Sequence, residues 1–118
     1  MNILDIKGLK TPSKEVEIHI INEDQKITIY PIAGFGLLKL EKLMKKLQED
    51  TEDTDLQEQV VKLALKDGCK ADEETIQFLI DQDVFACMKL VEEVLQFSGE
   101  YAEAKSKELN IAKKKLKK

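Results

Sequence analysis

The side chains able to do chemistry are few. There is one histidine, His19, and there are two cysteines, Cys69 and Cys87. A general base needs an orienting partner and a nucleophile within reach. His19 is flanked by Glu17 and Ile21 in an alternating stretch, so an exposed strand position is expected for it. Cys69 precedes Lys70, whose charge would lower a thiol pKa. Cys87 falls in an apolar helix, where cysteine usually acts as a small hydrophobe. With no CxxC and no second histidine, neither a zinc site nor a redox pair is expected. Glu49–Glu58 carries six carboxylates in ten residues. An EF-hand needs Gly at loop position six and Glu at position twelve. Counted from Asp50, those positions hold Asp55 and Val61, so a solvated loop is expected. Glu73-Glu74 and Glu92-Glu93 are sequence neighbours, and on a helix such pairs diverge and cannot converge on one substrate atom. Gly34-Phe35-Gly36 lies between a strand and a helix, where a dinucleotide fingerprint would sit, but Lys39 occupies the third glycine position. It reads as a hinge. No catalytic, cofactor-binding or metal-ligating residue is assigned, and a non-enzyme is expected.

The elements that would position these groups read as α+β, mostly α. Residues 1–13 form a lead-in, residues 14–99 a hairpin plus a bundle of about four helices, and residues 100–118 a lysine-rich tail, helical or disordered. From Lys14 the pattern has period two, with Val16, Ile18 and Ile20 on one face. Ile27 and Ile29 resume it after Asn22-Glu23-Asp24-Gln25. A turn centred on Glu23-Asp24 would set Ile20 opposite Ile27, Ile18 opposite Ile29 and His19 opposite Thr28. A lone hairpin is unstable in water, so its apolar face must rest on helices. Residues 37–49 place Leu37, Leu40, Leu43, Met44 and Leu47 within about 120° of a helical wheel, leaving Leu38 outside. Thr54-Asp55-Leu56-Gln57 fits a capping box for a helix through Leu56, Val60, Leu63 and Ala64. Gly68 suits the position just past its end. Asp72 should cap a short helix with Ile76, Leu79 and Ile80, and Asp83 should cap a last one over 84–97, closed by Ser98-Gly99. That last helix has an apolar arc of about 200°. Val84, Met88, Val91 and Leu95 form one stripe, and Ala86, Leu90 and Phe97 another. Either the helix is central, or one stripe waits for a partner.

Composition narrows the classes further. The chain has 118 residues, room for one domain. No apolar run approaches the ~18 residues of a membrane span, and no exported-protein leader is expected at Met1. All 19 basic residues are lysine, which removes arginine-forked reading of bases or phosphates. The net charge of −4 hides an uneven distribution. Residues 105–118 hold seven Lys and one Glu, whereas residues 1–104 hold twelve Lys and 22 Asp or Glu. Lys113-Lys114-Lys115 with Lys117 and Lys118 could contact nucleic acid through counterion release. The absence of Arg and of aromatics after Tyr101 favours a solvated tail instead. A small regulatory module using that tail on nucleic acid is the alternative reading.

The order of parts carries a resemblance. A hairpin ends in Tyr30-Pro31-Ile32, then comes Phe35-Gly36-Leu37-Leu38-Lys39-Leu40, then an acidic loop and short helices. A helix running from Asp83-Val84-Phe85 to Gln96-Phe97-Ser98-Gly99 completes the series. Across residues 14–99 this resembles the tail assembly chaperones of long-tailed bacteriophages and prophages of Gram-positive bacteria. The resemblance implies a non-enzymatic helper in the host cytoplasm, absent from the mature virion and needing no cofactor. It implies that the partner is the tape measure protein, shielded before tail tube polymerisation, with the major tail protein as a further contact. Ala86, Leu90, Phe97 and Phe35 are the expected partner-binding residues, in helix-in-groove fashion. Self-association through the hairpin edges is open. The resemblance also implies a longer product from ribosomal slippage near Lys113-Lys114-Lys115.

Overall fold

The computed structural model describes the backbone of residues 12–116 and the side chains of residues 12–107. The lead-in before Pro12 and the side chains of the last lysines, including Lys113-Lys114-Lys115, lie outside the described residues. The chain is α+β and mostly helical. An antiparallel hairpin, β1 (Lys14–Ile20) and β2 (Glu23–Ile29), is followed by four helices. These are α1 (Phe35–Glu49), α2 (Thr54–Gly68), α3 (Glu73–Gln82) and α4 (Val84–Leu116).

The hairpin differs in register from the expected one. Its turn is Ile21-Asn22, not Glu23-Asp24, and Val16 pairs with Ile27, Ile18 with Gln25 and His19 with Asp24. Both turn residues have positive φ, at 56° and 104°, the sign a two-residue type I′ turn requires. The observed register places polar partners across the strands, and Lys26 Nζ reaches Glu15 Oε1 at 4.0 Å. Glu17 lies opposite Lys26, and His19 Nδ1 stands 2.9 Å from Asp24 Oδ1. In the expected register these residues would have faced Tyr30 and Thr28, with no ionic partner. The slip is an even number of residues, so the faces survive it. Val16, Ile18 and Ile29 are buried as the alternation predicts.

Three helix boundaries rest on side-chain caps. Asp53, rather than Thr54, caps α2, its Oδ1 accepting the Leu56 N–H at 3.1 Å. Asp72 caps α3 as expected, accepting the Thr75 N–H at 2.8 Å. Asp83 caps α4 as expected, accepting the Ala86 N–H at 3.1 Å. Gly68 is the last residue of α2, not the first beyond it. Its reason for being glycine is packing. A Cβ there would collide with the Val94 side chain, so α2 and α4 touch backbone to side chain.

The largest departure is the length of α4, which has 33 residues and passes through Ser98-Gly99 without a break. Ser98 does not terminate the helix. Its hydroxyl donates back to the Val94 carbonyl at 2.7 Å, inside the helical turn, and accepts the Ile32 N–H at 2.9 Å. Gly99 faces open space. No proline follows, and Glu, Ala, Lys and Leu, all good helix formers, dominate residues 100–116. The described part of this extension carries a Glu103–Lys107 pair at i,i+4. The helix therefore crosses the expected boundary between domain and tail.

The core lies where α4 meets the hairpin, α2 and α3, and reaches α1 through Leu40. Ile29, Leu40, Leu65, Leu90, Val60 and Val94 are its largest fully buried side chains.

Candidate functional site

The four residues expected to bind a partner do not form one surface. Ala86 and Leu90 are core residues at 3% and 1% exposure. Phe97 is half-buried against the core, and Phe35 alone stands clear of it, 82% exposed. Of the two dispositions open to α4, the central one is observed: β1, α2 and α3 all pack on it. Ala86 and Leu90 are therefore covered by the protein itself.

Both ends of that buried seam are pinned. At the start of α4, the Asp83 carboxylate accepts the Ala86 N–H through one oxygen and the hairpin-turn N–H of Ile21 through the other, at 2.9 Å. Those two N–H groups, the Ile21 one foremost, hold the Asp83 carboxyl below its ordinary range, and His19 adds attraction. Near Ser98, the hydroxyl bridges α4 to the segment leaving β2. The Tyr30 N–H donates to the Gly68 carbonyl at 2.7 Å, and the Lys70 ammonium sits 4.1 Å from the centre of the Tyr30 ring. No side-chain polar atom buried among the described residues lacks a hydrogen-bond partner.

The groups capable of chemistry are dispersed. His19 and Asp24 form an exposed pair on the hairpin. Burial pushes the Cys69 thiol up to about 11, overriding the lowering expected from Lys70. Burial, joined by the Asp83 charge, pushes Cys87 up to about 11 as well. Neither is a thiolate at neutral pH. Among the described residues no cluster of three or more His, Cys, Asp or Glu is arranged to hold a metal ion.

Outward apolar side chains make up the rest of the surface's character. Phe35 and Leu38 are exposed on α1, Phe78 on α3, Val84, Phe85 and Met88 on the first turns of α4, and Ile21 in the hairpin turn. Phe85 is 84% exposed, consistent with its place among Lys89, Glu92 and Glu93 on the polar side of the helical wheel. Sequence reasoning assigned no role to Phe78 or Phe85. Their signal was present, since each interrupts an otherwise polar face.

Together these features define an α+β domain in which a two-stranded hairpin is clamped across the middle helix of a small bundle. The chain matches no known protein family, no curated protein and no solved structure. Among the described residues no helix is long and apolar enough to cross a membrane.

Proposed function

We propose that this chain is a non-enzymatic tail assembly chaperone. It binds and shields the tape measure protein in the host bacterial cytoplasm before the tail tube polymerises, and leaves before the virion is complete. The observation that carries the reading is the order of parts. A hairpin runs through Tyr30-Pro31-Ile32 into Phe35-Gly36-Leu37-Leu38, and a central helix carries Phe97-Ser98-Gly99. Helix-borne apolar side chains outside the core, Phe35 and Leu38 foremost, support it, because they suit weak and repeated contacts along a long helical partner. An acidic body would keep unbound copies apart and in solution.

The contact surface is assigned to outward residues rather than to Ala86 and Leu90, whose replacement would act on folding. Co-expression of the chain with the tape measure protein of the same phage or prophage tests the proposal. The tape measure protein should move from the insoluble to the soluble fraction and co-purify with the chain. A Phe35→Asp, Leu38→Asp double variant that folds normally should lose this effect. A tape measure protein equally insoluble with and without the chain would overturn the reading.

A further inference from the structure

A basic groove runs between α1 and α2, with Glu73 of α3 at its edge. Lys39, Lys42 and Lys46 line one wall, and Lys62 and Lys66 line the other. Half-buried Leu43 and Leu63 form its floor, and Glu73 is its one acidic residue. The groove is shallow and open to solvent, with a volume of about 510 Å³. Five lysines on one face stand out in a body whose residues 1–104 hold 22 carboxylates against twelve lysines. Lys62 is answered by Glu58 at 2.9 Å. Lys39, Lys42, Lys46 and Lys66 make no ion pair with the described residues.

The spacing decides what fits. On α1 the lysines fall at i, i+3 and i+7, and on α2 at i and i+4, so each wall is a straight line of charge along its helix. Phe35 falls within about 40° of the same line on α1, one turn before Lys39. From Lys39 to Lys46 the wall is about 10 Å long, two helical turns. A row of ammonium groups on each helix, flanking leucines between them, complements a third helix. That helix would carry an apolar stripe for the floor and carboxylates on both flanks for the walls, as flanking charges do in coiled coils. A nucleic acid fits less well. The floor is apolar, the walls offer no guanidinium to fork a phosphate, and no aromatic lines the groove for base stacking.

We infer that the α1–α2 groove is a docking site for an acidic amphipathic helix of a partner protein. The inference gives the chemistry of the partner surface for the chaperone reading, and rests on that reading only for the partner's identity.

The test uses the full chain and a synthetic helix of roughly three heptads, with Leu at a and d and Glu at e and g. A peptide of the same composition in scrambled order and a single-stranded oligothymidylate serve as competitors. Binding is read by fluorescence anisotropy and mapped by amide chemical shifts. The designed peptide should shift amides in residues 39–46 and 59–66. Its affinity should fall with salt as exposed charge pairs are screened. The Lys42→Glu, Lys66→Glu double variant should weaken it about tenfold or more, since two attractive pairs become repulsive. The Lys42→Gln, Lys66→Gln pair should weaken it less, and Lys45→Glu, on α1 but outside the groove, should change it little. All the substituted lysines are exposed, so circular dichroism should be unchanged.

Equal binding of the scrambled peptide or the oligothymidylate would overturn the inference in favour of a general polyanion surface. Self-association that the Lys42→Glu, Lys66→Glu pair abolishes would overturn it in favour of a second copy's acidic loop. Shifts confined to other elements would also overturn it. The outcome is separable from the chaperone test. Peptide binding without solubilisation of the tape measure protein faults the chaperone reading, and solubilisation without peptide binding faults the groove.

Discussion

Two helical faces in this molecule meet opposite fates. The Ala86–Leu90 face of α4 lies under the hairpin, with Asp83 holding one end and Ser98 the other. The outward line of α1, from Phe35 through Lys39 and Lys42 to Lys46, lies open to water. A wide apolar arc signals burial, and in a chain of this size the interior takes it first. What remains for a partner is the narrower, charge-flanked face that no stripe analysis ranks highly. On the proposed reading, the partner is met by the surface that the core did not need.

That contrast predicts a separation of effects. Leu90→Ala should destabilise the fold by about 2–5 kcal/mol in denaturant unfolding, as buried leucine truncations do. Phe35→Ala should stay within about 0.5 kcal/mol of the parent, since its side chain touches little. Equal losses from both would erase the distinction between the faces. Gly68→Ala comes next, at about 1–3 kcal/mol, because the added methyl collides with Val94. Val94→Ala should cost less in the Gly68→Ala background than in the parent, and a double-mutant cycle showing strict additivity would contradict the close contact.

A smaller effect concerns pH. The Asp83 carboxyl is held below its ordinary range in the fold by the Ile21 and Ala86 N–H groups. The stability it supplies is therefore fully present above the unfolded-state pKa of about 4, and is lost as pH falls through the folded value. The stability difference between the parent and Asp83→Asn should shrink between pH 7 and pH 3, with the parent losing more. Parallel pH profiles would show that the carboxylate does not clamp the hairpin. The smallest change lies at the hairpin tip. Ile21→Asn with Asn22→Gly suits positive φ and should raise stability by about 0.5–1 kcal/mol, leaving the Asp83 contact in place because Ile21 donates through its backbone. A loss would mean that the Ile21 side chain holds the turn.

Much of the fold was legible because its signals are local. Asp72 and Asp83 announce helix starts, and the Val16–Ile18 alternation announces a buried strand face. The errors lie where a distant contact overrides a local sign. The hairpin turn sits at Ile21-Asn22 although a β-branched residue resists positive φ. The Asp83 carboxylate, 62 positions away, accepts the Ile21 N–H, and cross-strand charges favour that register. Ser98-Gly99 resembles a helix end, yet the Ser98 hydroxyl bonds within the turn and to Ile32. Lys70 beside Cys69 suggested a lowered thiol pKa, and burial raises it instead. The basic groove was missed because charge was summed along the chain. Lys39, Lys42, Lys46, Lys62 and Lys66 are a cluster only once α1 and α2 lie side by side.

The most direct test of the account is hydrogen exchange on the full chain, alone and bound to the tape measure protein. Binding at the outward face predicts new protection in residues 35–46 and 59–66, with the hairpin and residues 84–98 unchanged. Protection, or deprotection, confined to the hairpin and residues 84–98, with α1 unaltered, would mean that the partner displaces the hairpin to reach the Ala86–Leu90 face. That result would contradict the account.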